Sequence, residues 1–209
     1  RLVAHPNVEL IGVEPYHSFI VLLDLERFTS RMRWASDRLE EILGRRPRVT
    51  DTTELCMSDP IYLALDLAGF DGGFIAGRPL VMGWREPSFL YHGGRNLKLL
   101  ARHHRLSDDV GFRFSDRTWS GWPLFAGTYA EWLRQAPGDL ILLGWDYETF
   151  GEHHSRETGI FDFMRWLPFE AQQRGMRFRT ASEAIAAHAE RACHLPLPMF
   201  PATPEDARG

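Results

Sequence analysis

The chain has 209 residues, with 24 Lys and Arg against 28 Asp and Glu, a net charge of -4 and no basic block. That balance argues against a nucleic-acid or membrane-surface role, and the longest apolar runs (20–24 and 140–145) are far too short to cross a bilayer. A hydrophobic content of 44% and a charged content of 25% suit one globular domain with a real core.

In chain order, Val8–Gly12 reads as a short buried strand. Leu25–Leu43 reads as a helix, because Phe28, Met32, Ala35, Leu39 and Ile42 recur on one face, with Gly44 just past its end and Pro47 beyond. Arg48–Leu55 is Thr-rich and strand-like. Ser58 caps a helix over Pro60–Leu67. Asp71-Gly72-Gly73 reads as a turn before the apolar segment Phe74–Ala76. Residues 83–93 form an aromatic-rich loop, Leu97–Leu106 a short helix and Val110–Phe114 a strand. A helix containing Tyr129–Gln135 closes at Pro137-Gly138. Asp139–Trp145 is continuously apolar, as in a parallel strand covered on both faces. Ile160–Gln173 is an amphipathic helix interrupted by Pro168, Met176–Arg179 a strand, and Ser182–Ala192 an Ala-rich helix. The Pro-rich stretch 194–209 reads as an extended tail or a cut end after one domain over 1–193, whose sheet could be open or barrel-shaped. Alternating strands and helices define an α/β domain with a parallel sheet, whose function gathers beyond the C-terminal ends of the strands.

Two cysteines, Cys56 and Cys193, make no disulfide or zinc framework and are expected as buried thiols in a reducing cytoplasm. Nothing at the start reads as a signal peptide. The chain opens at Arg1 rather than Met, and is expected to be a fragment or a trimmed product. No phosphate loop, dinucleotide fingerprint or nucleophile elbow is present, so no cofactor is expected.

The sharpest candidate chemistry follows the 140–145 run. Asp146, Glu148 and Glu152 lie among Trp145, Tyr147 and Phe150, an environment that can desolvate a carboxyl and keep it protonated for leaving-group chemistry. A solvated acidic loop with a capping role fits the same spacing. His153-His154 and His103-His104 suggest metal ligands only weakly, since adjacent histidines rarely face one ion, and no metal site is expected. Glu54 occupies a catalytic-face position after the second strand. Tyr16-His17-Ser18 follows the first and could bind hydroxyls.

The block Asp146-Tyr147-Glu148-Thr149-Phe150-Gly151-Glu152-His153, followed by Thr158-Gly159-Ile160-Phe161 and Leu167-Pro168, resembles α-amylase-like members of glycoside hydrolase family 57. Tyr16-His17-Ser18, Thr53-Glu54-Leu55, Gly83-Trp84-Arg85, Leu106-Ser107-Asp108-Asp109, Phe112–Ser115, Asp116-Arg117 and Trp122-Pro123-Leu124 agree in the same order, so the likeness spans residues 8 to 185. It implies an incomplete (β/α)7-type parallel barrel and retaining hydrolysis of α-glucans, which needs two carboxyl groups about 5 Å apart. Asp146 matches the family's general acid/base. The family's nucleophile glutamate falls on Ala76, preceded by Ile75 where the family has Thr. Asp51 and Thr52 depart from the usual Arg-Asn ahead of Thr-Glu. The His-Gln-Pro strand of the family is missing, which implies a barrel truncated at its N-terminus with an exposed sheet edge.

By that resemblance the partner is an α-glucan or maltooligosaccharide. It would be met by His17, Glu54, Trp84, Arg85, Tyr147, Glu148 and His153, with Tyr91, Trp119 and Trp122 as further stacking candidates. The expected function is an α-amylase-like domain impaired in hydrolysis. The alternatives are an enzyme that recruits Glu54, Asp71 or Glu148 in place of the lost nucleophile, and a non-catalytic scaffold.

Overall fold

The computed structural model describes residues 2–201. Helix α1 spans Ile20–Leu23 and α2 Leu25–Leu43, the range the periodicity predicts. The Asp24 carboxylate caps α2 by accepting the Arg27 N–H at 2.9 Å, and Gly44 ends it in the left-handed conformation at φ 68°. Phe28, Met32 and Ala35 are buried as predicted, whereas Ile42, in the last turn, is exposed. Strand β1 is only Val49–Thr50, and α3 runs over Asp59–Leu67 behind the Ser58 cap. Strand β2 is Gly72–Ala76, α4 Pro79–Met82, β3 Leu90–His92 and β4 Lys98–Arg102. Helices α5 (His104–Gly111), α6 (Ala126–Gln135), α7 (Ile160–Gln173) and α8 (Ala181–His188) precede β5, Cys193–His194.

The sheet order is β1-β2-β4-β3-β5. β1, β2 and β4 are parallel, with Thr50 opposite Gly73 and Ala76 opposite Arg102. Two extended segments continue the parallel array: Gly12 bridges Thr50 outside β1, and Leu142 bridges Arg102 at the far end of β4. β3 runs antiparallel to β4, and β5 parallel to β3. The result is an α/β fold with a mostly parallel, open sheet of the incomplete (β/α)7 type. One face carries Ile75, Leu99 and Ala101, in one core with Phe28 and Met32 of α2 and Ile61, Tyr62 and Leu65 of α3. The opposite face carries Val49, Leu90 and Leu100, clustered with Ile185 of α8 and with Leu140 and Leu142. A second core joins α5, α6 and α7 through Leu106, Val110, Tyr129, Phe163 and Leu167. Among the described residues, no helix is long and apolar enough to cross a membrane.

Several sequence expectations fail for physical reasons. Leu97–Leu106 is β4 followed by the start of α5, because Lys98–Arg102 pairs with β2 and Leu99, Leu100 and Ala101 are buried across its two faces. Val110–Phe114 is the end of α5 and a turn, with Val110 and Phe114 pointing into the helical core. Gly72-Gly73 lies inside β2 rather than in a turn; a Cβ on Gly72 would overlap Ile185 Cδ1 of α8, which would have to shift. Val8–Gly12 and Asp139–Trp145 each shrink to one bridge, Met176–Arg179 forms no strand, and residues 140–145 are half-buried. Arg48–Leu55 is strand only at Val49–Thr50, and α8 stops at His188. The Gly12 segment borders β1 on its outer side, and its N–H and C=O bond Val49 O and the Asp51 N–H, each at 2.8 Å.

The stretch after Cys193 is not a loose tail. His194 belongs to β5, the Leu195 N–H bonds His92 O at 3.0 Å, and Pro198 O accepts the Asp59 N–H at the start of α3. Residues 202–209 of the expected tail lie outside the described residues. Cys56 is buried as expected, but Cys193 is exposed on β5.

Candidate active site

Because the extended segments run in parallel, the loops leaving their C-terminal ends share one rim: 13–18, 51–55, 77–85, 103–104 and 143–150. The first loop is pinned by Glu14, which is only 3% exposed. Its carboxylate accepts the Tyr16 and Ser18 N–H groups at 3.1 and 2.8 Å and the Arg31 guanidinium at 3.0 Å. Burial pushes the Glu14 pKa up, but the hydrogen bonds from Ser18, Arg31 and Tyr16 outweigh it and hold it below the ordinary value.

This loop presents His17, whose Nε2 lies 3.9 Å from Glu54 Oε1 on the loop after β1. Among the described residues, His17, Glu54 and Leu55 are the non-glycine positions with left-handed backbone, at φ 46°, 56° and 53°. All three sit on this stretch of rim, where such strain marks functional sites. Thr53 Oγ1 donates to Ser18 O at 3.0 Å, which ties the two loops together, and Thr52 Oγ1 donates to Cys56 O at 2.6 Å within the second loop. Beneath them Asp51 keeps a buried Oδ1 with no hydrogen-bond partner. Burial pushes its carboxyl up to about 6; the Thr52 N–H and the nearby His17 pull it down, and Glu54 adds to the rise.

Ala76 ends β2, almost fully buried and directly across from Arg102 of β4. The Arg102 guanidinium is already engaged: Nε donates to Gly144 O at 3.0 Å, and a terminal nitrogen pairs with Asp108 at 2.7 Å. Arg78 approaches the other Asp108 oxygen at 3.6 Å. Helix α5 also clamps the backbone just ahead of Asp146. Ser107 Oγ accepts the Gly144 N–H at 3.2 Å, and Ser107 O accepts the Trp145 indole N–H at 2.8 Å. Asp146, Tyr147 and Glu148 are all exposed, so the flanking aromatics do not desolvate the Asp146 carboxyl as the sequence suggested. Trp145 and Phe150 pack against each other instead, edge to face at 5.8 Å.

Trp84 is 85% exposed, with the Arg85 guanidinium 4.9 Å from its ring centre. Trp122 is exposed, whereas Tyr91 lies in the core beneath the sheet and Trp119 packs against Trp132. The histidine pairs diverge. His153 is exposed, while His154 is buried between Ser115 Oγ at 2.7 Å and Gly111 O at 3.1 Å. His103 caps α5, and burial, with Arg105 and His104 nearby, lowers it to about 4, so it stays neutral. No cluster of three metal-ligating side chains occurs among the described residues. Asp71 stands at the opposite end of β2 from the rim, paired with Arg48, which removes it as a substitute nucleophile.

Sequence reasoning passed over Glu14, Asp51, Arg102, Ser107 and Asp108 as site residues. The visible signal for two of them was the Leu106-Ser107-Asp108-Asp109 block. A cavity of about 740 Å³ opens elsewhere, between residues 138–143 and 175–181, and none of the candidate residues lines it. The candidate residues gather on the rim instead.

A mostly parallel α/β sheet with polar residues on the loops beyond the strand ends is of the incomplete (β/α)7 kind. The model of glycosyl hydrolase family 57 matches residues 1–198, and the chain belongs to that family. It is 43% identical over 187 residues to a protein of Methanocaldococcus jannaschii named "Putative alpha-amylase", covering 88% of this chain and 40% of that protein. The chain thus spans well under half of that relative's length. The fold is similar to that of the 4-alpha-glucanotransferase from Thermococcus litoralis, with a TM-score of 0.70 at 15% identity over 95% of this chain and 32% of that one. It is also similar to a GH57-type branching enzyme from Pyrococcus horikoshii, with a TM-score of 0.72 at 15% identity over 94% and 48% of the two chains.

Proposed function

We propose that this chain is an α-amylase-like domain that binds α-glucans or maltooligosaccharides and is impaired in their hydrolysis. The observation that carries the proposal is Ala76, a buried methyl where the family resemblance puts a carboxylate. A methyl group cannot attack an anomeric carbon or stabilise an oxocarbenium-like transition state, and a retaining glycosidase needs both carboxyl groups. Arg102, the cross-strand neighbour of that position, is occupied by Asp108 and Gly144 O rather than held ready for a carboxylate.

In this reading Asp146 keeps the general acid/base position on a loop fixed by Ser107. Trp84, with Arg85 behind it, and Tyr147 offer flat apolar faces to sugar rings. His17, Glu54, Glu148 and His153 supply hydrogen bonds to hydroxyls. The 43% identity to the protein named "Putative alpha-amylase" supports the glucan part of the reading, and its location is read as cytoplasmic from the two-cysteine composition.

Calorimetry with maltoheptaose, paired with an assay for reducing ends, tests the proposal. Binding without release is expected. Release that is lost on Asp146→Asn would overturn the impairment, and absence of binding would overturn the glucan reading. One observation favours a second reading: the strained Glu54 beside His17 suits an enzyme that recruits this carboxylate, in which case Glu54→Gln would abolish release.

A further inference from the structure

Residues 140–143 have the faces of an inner strand and one edge of an outer strand. Ile141 and Leu143 pack against the helical core of α5, α6 and α7, and Leu140 and Leu142 against the cluster around Leu100, so both faces are covered. On the paired edge, Leu142 O accepts the His103 N–H at 2.8 Å just beyond β4. Successive residues of a strand turn their backbone groups to opposite edges, so Ile141 and Leu143 turn theirs away from β4. Neither residue makes a hydrogen bond among the described residues. A row of unmet N–H and C=O groups in a half-buried segment is a template for a further strand.

The cavity of about 740 Å³ lies along this open edge, with Phe74 and Leu100 of the sheet in its lining and residues 175–181 across from it. We propose that it receives an extended peptide segment of a partner, in which acidic residues alternate with apolar ones, as an added strand on the Leu140–Leu143 edge. A compact ligand would fill the volume but leave the row of backbone groups unmet.

The residues across the cavity favour that pattern. Met176, Arg177, Phe178 and Arg179 alternate apolar and basic; Met176 packs into the helical core, and Phe178 is 57% exposed. Arg177 and Arg179 line the cavity and make no hydrogen bond or ion pair among the described residues. The other charged groups of the lining are engaged: Glu9 with Ser182, Asp139 with Arg191 at 2.6 Å and His188 at 3.4 Å, and Arg134 with Glu131 at 3.0 Å. Two unopposed guanidinium groups beside no free carboxylate favour an anionic segment and disfavour a cationic one. A strand laid beside 176–179 would set alternate residues toward the arginines and the rest toward Met176 and Phe178. The chain's own open edge, Leu140-Ile141-Leu142-Leu143, has no acid to answer the arginines, so a second copy is a poor fit.

A short blocked peptide alternating valine and glutamate, carrying a fluorophore, can be titrated against the protein while hydrogen exchange is followed at the Ile141 and Leu143 amides. Binding with slowed exchange at both amides is expected. Arg177 and Arg179 are exposed, so Arg177→Glu with Arg179→Glu should leave the melting temperature unchanged. That variant should bind the glutamate peptide about tenfold more weakly and gain binding of the lysine counterpart. No binding of the glutamate peptide by the unaltered chain, or equal binding of the lysine one, would overturn the assignment. Equal binding of a glutamate peptide with a central proline would overturn it too, because proline lacks the N–H that strand pairing uses. Protection of the two amides that rises with protein concentration alone would give the edge to a second copy instead. None of these outcomes bears on the glucan reading.

Discussion

Replacing Asp51 by Asn removes a buried carboxyl whose Oδ1 has no partner and whose pKa is pushed up to about 6 by burial. The unfolded chain ionises this group near its ordinary 3.8, so the folded state holds the proton over a higher range than the unfolded one. The stability that Asp51 contributes is therefore full below pH 3.8 and is lost as the pH rises through 6. Once both states are ionised, the penalty on the folded state is roughly 3 kcal/mol at most. His17 and Glu54 are the charged groups around it, and neither is altered by the substitution. His103 slopes the opposite way. Burial lowers it to about 4, so its contribution is full above 6.5 and is lost as the pH falls through 4. The two partly cancel in the unaltered protein, but comparison with Asp51→Asn isolates the Asp51 contribution, because His103 is common to both proteins. Urea denaturation at pH 3.5, 5, 6.5 and 8 reads the effect. The variant should match the unaltered protein at pH 3.5 and exceed it by up to about 3 kcal/mol at pH 8. A stability difference that is the same at every pH would refute the reasoning.

Other expectations follow from packing. Gly77→Ala would drive a Cβ into the Arg102 carbonyl oxygen and to within 2.8 Å of Pro87 Cβ, both hard to move. It should cost about 1–3 kcal/mol, read as a lower denaturation midpoint, with binding weakened because the rim after β2 shifts. Phe28→Ala empties a fully buried site under the sheet and should cost about 3–5 kcal/mol in the same assay. His103→Asn keeps a capping oxygen for the Leu106 N–H but removes the titration, so the loss of stability between pH 6.5 and 4 should become shallower.

Much of the fold is legible in the residues. The end of α2 follows from one apolar stripe and the Gly44 stop, which forms as read, whereas the Asp24 cap emerges only in the structure. Errors cluster where periodicity carries little information. Leu97–Ala101 is short and mostly apolar, a pattern shared by buried helix and buried strand, and only the pairing of Lys98–Arg102 with β2 decides it. Gly72 looks like a turn residue because the side chain it packs against, Ile185, is more than 100 positions away. The same distance effect hides parts of the site. The block around Asp146 announces itself locally, but Arg102 becomes part of the site only through Asp108 and Gly144, and Asp51 only through the loops folded over it. Exposure is equally nonlocal: Tyr91 and Trp84 looked like similar stacking candidates, yet one is core and the other stands in solvent.

The measurement that tests the account most directly is reducing-end release from maltoheptaose under conditions where calorimetry shows it bound. The account predicts a bound but uncleaved oligosaccharide. Steady release by the unaltered chain, abolished by Asp146→Asn, would contradict it.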